Sequence, residues 1–263
     1  MLLLLDIGGT KTRLALSDSE ELSDVEIFET PQNYHQAITQ IKNYLTISES
    51  HLITQTMVGL PGLLTPDKST LSQAPHLPLW INQPIKEDLM AVTNSPVYLE
   101  NDAALAALGE ATYGAGIGFK HVAYLTLSTG VGGAQVIDGK LDPASIKDDV
   151  GHMTLKNGQE WESLISGTGI EKIYGTPAGE LTDPTAWTEV AEHLAWGLNR
   201  IISKWAPEII ILGGGVAESL PFDQIKREME KIRPQNNIPP VVKSKLGDLS
   251  GLYGALSFLK QIP

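Results

Sequence analysis

The chain has 263 residues, no cysteine, and 19 basic against 31 acidic residues for a formal charge of -12. The missing cysteines exclude a disulfide framework and any thiolate metal site, and the acidic balance excludes a nucleic-acid footprint. Two lobes are the prior at this length, alternating aliphatic strands and helical stretches imply an α/β class, and a reducing, cytoplasmic setting is expected.

The first element is a run of four leucines, Leu2 to Leu5, that ends in Asp6-Ile7-Gly8-Gly9-Thr10-Lys11. It lacks a basic leader and is too short for a signal peptide or a membrane span, so it reads as a buried strand, with no membrane partner expected. Thr12, Leu14 and Leu16 then alternate with Arg13 and Ala15, and a period of two predicts a second strand. Dinucleotide and Walker loops need strand, glycine turn and helix; here the chain doubles back as a hairpin. The amides of its tip, at Gly8, Gly9 and Thr10, suit phosphate oxygens, and Asp6 suits Mg²⁺ held through water. Lys11 is either a charge for the phosphates or a solvated lysine beside a turn, and a plain Gly-Gly hairpin is the simple alternative for the whole device.

Pro75 to Pro84 reads as a loop. Pro96 to Leu99 is a short strand, Glu100-Asn101-Asp102 ends it, and Ala103 to Glu110 has high helix propensity. Asp102 therefore occupies a strand-to-helix corner, where it is either a helix cap or a general base that takes the proton of an attacking hydroxyl. Asn101 is expected to hydrogen-bond a neighbouring hydroxyl. Tyr124 to Leu127 leads into Ser128-Thr129-Gly130-Val131-Gly132-Gly133 and a return strand Ala134 to Ile137, so the glycine hairpin is built a second time, with Thr129 and Gly130 as phosphate amides. Asp138-Gly139 is a hairpin turn of its own. The clearest helix runs from about Thr185 to Ala206, started by Asp183-Pro184 and stopped by Pro207. Its face of Trp187, Val190, Leu194, Leu198, Ile201 and Trp205 assigns these tryptophans to the core, with His193 off the stripe and facing solvent. After the strand Ile209 to Leu212, the cluster Gly213-Gly214-Gly215 suits close approach to a flat ligand, with Gly214 and Gly215 as nucleotide contacts. The charged mixture from Lys226 to Arg233 reads as a solvated helix face.

Taken in order, Asp6 to Lys11, Glu100-Asn101-Asp102-Ala103 with Gly109-Glu110, Ser128 to Gly133 with Asp138 to Leu141, and Pro207-Glu208 through Gly213-Gly214-Gly215-Val216 resemble the ROK family of bacterial sugar kinases and sugar-responsive repressors. Ser250-Gly251-Leu252-Tyr253-Gly254-Ala255 resembles the family's closing helix, which packs back on the first lobe. The resemblance implies an α/β, two-lobed, actin-like ATPase (ribonuclease H-like) fold with a nucleotide and sugar cleft between the lobes. Residues 1–114, completed by 251–263, would form the sugar and phosphate lobe, and 115–250 the nucleotide lobe. It also implies ATP with Mg²⁺, a hexose or hexosamine as acceptor, lobe closure that excludes water, and a homodimer. Among sugar contacts it carries over Gly62, Asn82, Asn101, Asp102, Asp149, His152 and Glu162. Two departures stand out: Leu79 replaces the usual glycine before Trp80, and Asp149 replaces the usual glutamate of a Glu-x-Gly-His element.

A third departure is larger. Where the family typically carries a cysteine-rich knuckle that binds zinc together with the histidine, this chain has only Met153 to Trp161. No zinc site of that kind exists, so His152 must be oriented by another hydrogen bond, and Trp161 is expected to replace part of the knuckle's packing. The function expected is an ATP-dependent, glucokinase-like sugar kinase with Asp102 as general base. The alternatives are a non-catalytic sugar or nucleotide sensor of the same fold, and a kinase for an N-acetylhexosamine or fructose. The repressor branch would need a helix-turn-helix ahead of the first hairpin, which starts at residue 1, and a basic surface.

Overall fold

A computed structural model describes residues 1–19, 21–47, 52–155, 158–234 and 238–262. The chain forms two compact units, Met1–Gly109 with Leu249–Pro263, and Glu110–Asp248.

In the first unit, β1 (Leu2–Ile7), β2 (Lys11–Ser17) and β3 (Leu22–Glu29) follow as an antiparallel meander, then α1 (Tyr34–Ile47) leads to β4 (Gln55–Leu60). The short strands β5 (Leu63–Leu64) and β6 (Leu71–Gln73) form a separate ribbon. After α2 (Ile85–Thr93), β7 (Val97–Asn101) completes a five-stranded sheet of order β3-β2-β1-β4-β7, in which β4 runs parallel to both β1 and β7. Leu3, Leu4 and Leu5 are fully buried, as are Met57, Val58 and Leu60. Such continuous apolar runs are what a central strand covered on both faces requires. The helix α3 (Asp102–Tyr113) crosses the C-terminal helix (Ser250–Lys260) at a contact only glycine permits. A Cβ on Gly254 would lie 1.7 Å from the carbonyl oxygen of Leu105, and one on Gly109 would lie 2.1 Å from that of Ser250.

The second unit repeats the plan. The strands β8 (His121–Leu127), β9 (Val131–Ile137) and β10 (Lys140–Leu141) are antiparallel, while β11 (Ile209–Gly213) and β12 (Val241–Lys243) add in parallel, giving β10-β9-β8-β11-β12. The Asp138-Gly139 turn has positive φ at both residues, the two-residue hairpin geometry expected there. The short helices α4 (Pro143–Ile146), α5 (Glu162–Ile165) and α6 (Gly167–Tyr174) precede α7 (Pro184–Trp205) and α8 (Phe222–Ile232). Asp183 caps α7 through the amide of Thr185, and the expected apolar face, Trp187 and Trp205 included, is buried. His193 is half-buried rather than free in solvent, because its carbonyl accepts the indole N–H of Trp161 at 2.8 Å. On α8, Glu228 departs from a solvated face: it is 5% exposed and ion-paired with Lys231 at 2.7 Å. Among the described residues no helix is long and apolar enough to cross a membrane.

Candidate active site

Both glycine loops are hairpins, as the alternation of their flanking strands requires. At the first tip every carbonyl is committed inward. Gly8 O accepts from Thr30 Oγ1 at 2.8 Å, Gly9 O from Gln32 Nε2 at 3.2 Å, Thr10 O from Thr30 N at 2.9 Å and Lys11 O from Gly8 N at 2.9 Å. The N–H groups of Gly9 and Thr10 have no hydrogen-bond partner among the described residues. Such a turn is an anion cup, with donors exposed and acceptors satisfied. Gly9 must lack a side chain because a Cβ there would come within 2.6 Å of the Cβ of His76. Lys11 is exposed.

The second tip reaches the same state by other means. Ser128 N donates to Gly130 O at 2.9 Å, Gly167 N donates to Ser128 O at 2.6 Å, and Val131 N donates to Glu162 Oε2 at 2.7 Å. The amides of Thr129 and Gly130 have no partner among the described residues.

The acidic corner belongs to the first unit. Gly59 on β4 pairs with Asp6 on β1 and with Glu100 on β7. A Cβ on Gly59 would stand 3.6 Å from Asp6 Oδ1 and 3.4 Å from the Cα of Asp102, so the glycine is the floor over which the two acids approach. The helix cap is Asn101, not Asp102: Asn101 Oδ1 accepts from Ala104 N at 3.0 Å, the usual cap bond. Its Nδ2 donates to Gly62 O at 3.1 Å, which leaves one amide hydrogen for a ligand. Asp102 accepts from the adjacent Ala103 N at 2.8 Å and from its own backbone amide. Burial, reinforced by the charge of Asp6, pushes its carboxyl up to about 7, against the pull of the backbone amides. That is the range in which a general base both exists as carboxylate and takes a proton readily at neutral pH.

Asp6 lies 3.6 Å from Arg13 Nη1, and the C-terminal helix approaches it so closely that a Cβ on Gly251 would stand 2.5 Å from its carboxyl carbon. Among the described residues no group of three or more His, Asp or Glu could hold a metal. Magnesium is commonly held by one or two carboxylates with phosphates and water, so Asp6 fits it only together with a nucleotide's phosphates.

The other expected residues fall into two groups. Gly62, at φ +106°, is obligatory because a Cβ would meet Gln73 O at 2.1 Å, and Asn82 is exposed in the left-handed region at φ +58°. Trp80 is buried, its indole N–H donating to Pro31 O at 3.2 Å, while Leu79 beside it is 61% exposed. In the second unit, the lack of a side chain at Gly213 and Gly214 is set inside the protein rather than by a ligand. A Cβ on Gly213 would lie 2.3 Å from the hydroxyl of Tyr124, and one on Gly214, at φ +84°, would lie 2.4 Å from Leu127 O. Gly215 alone of the three opens onto free space.

Asp149, in the left-handed region at φ +43°, opens a single turn, Val150–His152. His152 Nδ1 lies 3.2 Å from Glu160 Oε2, and Nε2 lies 3.7 Å from Asp149 Oδ2. Burial pulls the imidazole pKa down, but Asp149 and Glu160, with Glu162 behind them, outweigh it and hold it above the ordinary value. Glu162 is half-buried, not a surface residue, since one of its oxygens secures β9.

The ROK family model matches residues 2–262. The chain belongs to the ROK family. It is 29% identical to an N-acetyl-D-glucosamine kinase of Mannheimia succiniciproducens over 301 residues, covering 97% of this chain and 98% of the relative. It is 27% identical to a glucokinase of Streptomyces coelicolor over 308 residues, covering 97% and 96%. The structure of a ROK family glucokinase from Streptomyces griseus in complex with glucose and AMPPNP superposes with a TM-score of 0.84 at 25% identity, covering 99% of this chain and 100% of that one. The fold is accordingly the two-lobed, actin-like ATPase fold of ROK sugar kinases.

Where the family resemblance implies a zinc knuckle, the flanks 153–155 and 159–161 pair in antiparallel register. Trp161 N donates to Met153 O and Leu155 N to Gln159 O, each at 2.8 Å, with Thr154 and Glu160 bridged in antiparallel register between them. Lys156 and Asn157 lie outside the described residues. Trp161 is fully buried against Gly197 of α7, where a Cβ would stand 2.0 Å from the indole ring. Trp161 is therefore a core residue. Sequence reasoning missed Glu160, Thr30, Gln32 and Arg13, whose partners His152, Gly8, Gly9 and Asp6 are set by the fold.

Proposed function

We propose that this ROK protein is an ATP-dependent sugar kinase that phosphorylates a hydroxyl of a hexose or of its N-acetyl amine. The observation that carries the reading is Asp102: a carboxylate at the β7–α3 corner, relieved of capping by Asn101 and raised to about 7 by burial and Asp6. In the reaction Asp102 accepts the hydroxyl proton while the hydroxyl oxygen bonds to the γ-phosphorus and the bond to the β,γ-bridging oxygen breaks, releasing ADP. Asn101 and Gly62 hold the sugar beside Asp102, with Asn82 at its rim, and Asp149, His152 and Glu162 supply further hydroxyl contacts. We assign the ATP phosphates to the amides of Gly9 and Thr10, with Gly8 shaping the turn and Lys11 beside it, and to the amides of Thr129 and Gly130. Gly214 and Gly215 are assigned to the nucleotide base. Magnesium, when bound, neutralises charge on the transferred group, and Asp6 would hold it through water. Homology to glucokinases and an N-acetylglucosamine kinase supports the acceptor class, and the acidic, cysteine-free composition supports a cytoplasmic protein, which we read as a homodimer.

The test is ADP release coupled to a panel of hexoses and N-acetylhexosamines. Sugar-dependent release with at least one member is expected. Nucleotide binding without sugar-dependent release from any member would leave a sensor instead.

A further inference from the structure

We infer that Glu160 does for His152 what a zinc-bound knuckle does in other ROK proteins: it fixes the ring so that Nε2 faces the sugar. The inference rests on the reading that His152 is a sugar contact. The first support is distance, since His152 Nδ1 is 3.2 Å from Glu160 Oε2 whereas Nε2 lies 3.7 Å from Asp149 Oδ2. A carboxylate only accepts, so Nδ1 carries a proton in either charge state, and above the raised imidazole pKa the neutral ring leaves Nε2 as an acceptor for a hydroxyl. The tautomer follows from that network rather than from observed hydrogens.

The second support is how Glu160 is held. Glu160 is fixed by its antiparallel bridge to Thr154, and the chain turns at Trp161, whose backbone is helical at φ −60° and ψ −42°. Trp161 enters the core, where its indole N–H is bonded to His193 O and its ring rests on Gly197, while the Glu160 carboxylate reaches His152. The buried indole anchors the ribbon much as a metal would anchor a knuckle. The ribbon needs no cysteine, which accounts for a ROK chain that has none. Glu160 is thus a positioning residue. Because the pair is half-exposed, it contributes little to stability and acts by choosing one ring orientation.

The experiment compares Glu160→Ala and Glu160→Gln in the full chain. The His152 ring is followed by ¹⁵N–¹H correlation NMR, its signal assigned by loss in His152→Gln, and glucose and N-acetylglucosamine affinities are measured by calorimetry. At a pH high enough for the ring to be neutral, wild type should show the Nδ1–H tautomer. Glu160→Ala should shift it toward Nε2–H and weaken sugar binding by about threefold to tenfold, with melting temperature and ATP affinity unchanged. Glu160→Gln, whose amide oxygen still accepts, should recover most of the loss. An unaltered ring signal, unaltered sugar affinity in the alanine variant, or an equal loss of ATP affinity would each overturn the inference. Because affinity is measured rather than turnover, a protein that binds sugar in a Glu160-dependent way yet releases no ADP would sink the kinase reading and keep this one.

Discussion

The hairpin tips at Gly8–Thr10 and Ser128–Gly130 each have two amides without a partner among the described residues, yet they are secured differently. The first is tied by neutral side chains, Thr30 and Gln32, that reach its carbonyls. The second is tied by a backbone amide, Gly167 N, and by a carboxylate, Glu162, which grips the first amide of the returning strand. Hydrogen bonds to charged groups are worth about twice neutral ones. The second tip is thus held more firmly, but by a residue that we also propose as a sugar contact. The first tip is independent of sugar contacts and lies in the unit that holds Asp102. The comparison teaches that one loop is tied by neutral side chains of its own unit, while the other is tied by a carboxylate that, on the proposed function, also touches the acceptor.

The largest effect should come from the acid. Asp102→Asn should lower kcat by about 10²–10⁴-fold while sugar binding persists, measured by coupled assay and calorimetry. A variant with full turnover would remove Asp102 from its role. Replacing the second tip's carboxylate comes next. Glu162→Ala should raise the KM for ATP and for sugar together, by on the order of 10- to 100-fold, whereas Glu162→Gln, which keeps an acceptor for Val131 N, should raise only the sugar KM. Equal effects of both variants on the two substrates would dissolve the coupling. A change of pH tests the same acid: below about 7, kcat/KM should fall by about tenfold per unit as Asp102 takes up its proton. Stability moves the other way. Folded Asp102 keeps its proton to about 7 but loses it near pH 4 when unfolded, so stability falls as pH rises across that window. Asp102→Asn escapes this, and at pH 8 its melting temperature should exceed that of wild type. The smallest effect should be Gln32→Ala, which removes a neutral, exposed bond at the first tip and should raise the ATP KM by about two- to fivefold with the sugar KM unchanged.

Much of the fold was legible along the chain, for reasons that differ by element. The hairpins announced themselves by period-two alternation around glycines, and α7 by apolar spacing bounded by Asp183-Pro184 and Pro207. The strand-to-helix corner at Asn101-Asp102 was legible as a corner, but not which residue caps it, since both types cap equally well. The glycines at 213 and 214 were visible, but not that Tyr124 and Leu127 of a strand distant in sequence demand them. Glu162 and Glu160 were ordinary acidic residues until Val131 and His152 were brought beside them.

Taken alone, the order of residues determined what is local or compositional: two glycine hairpins, a carboxylate at a strand end, a long amphipathic helix, and the impossibility of a cysteine-bound zinc. Tertiary structure alone decided which carboxylates are free and which are engaged. Asp102 is relieved of capping by Asn101 and raised by burial and then by Asp6, while Glu162 and Glu160 are claimed by Val131 and His152. The reason is physical. A backbone's periodicity depends on neighbours a few residues away, whereas a carboxylate's proton affinity and its partners depend on whatever charges and amides folding brings within a few ångströms.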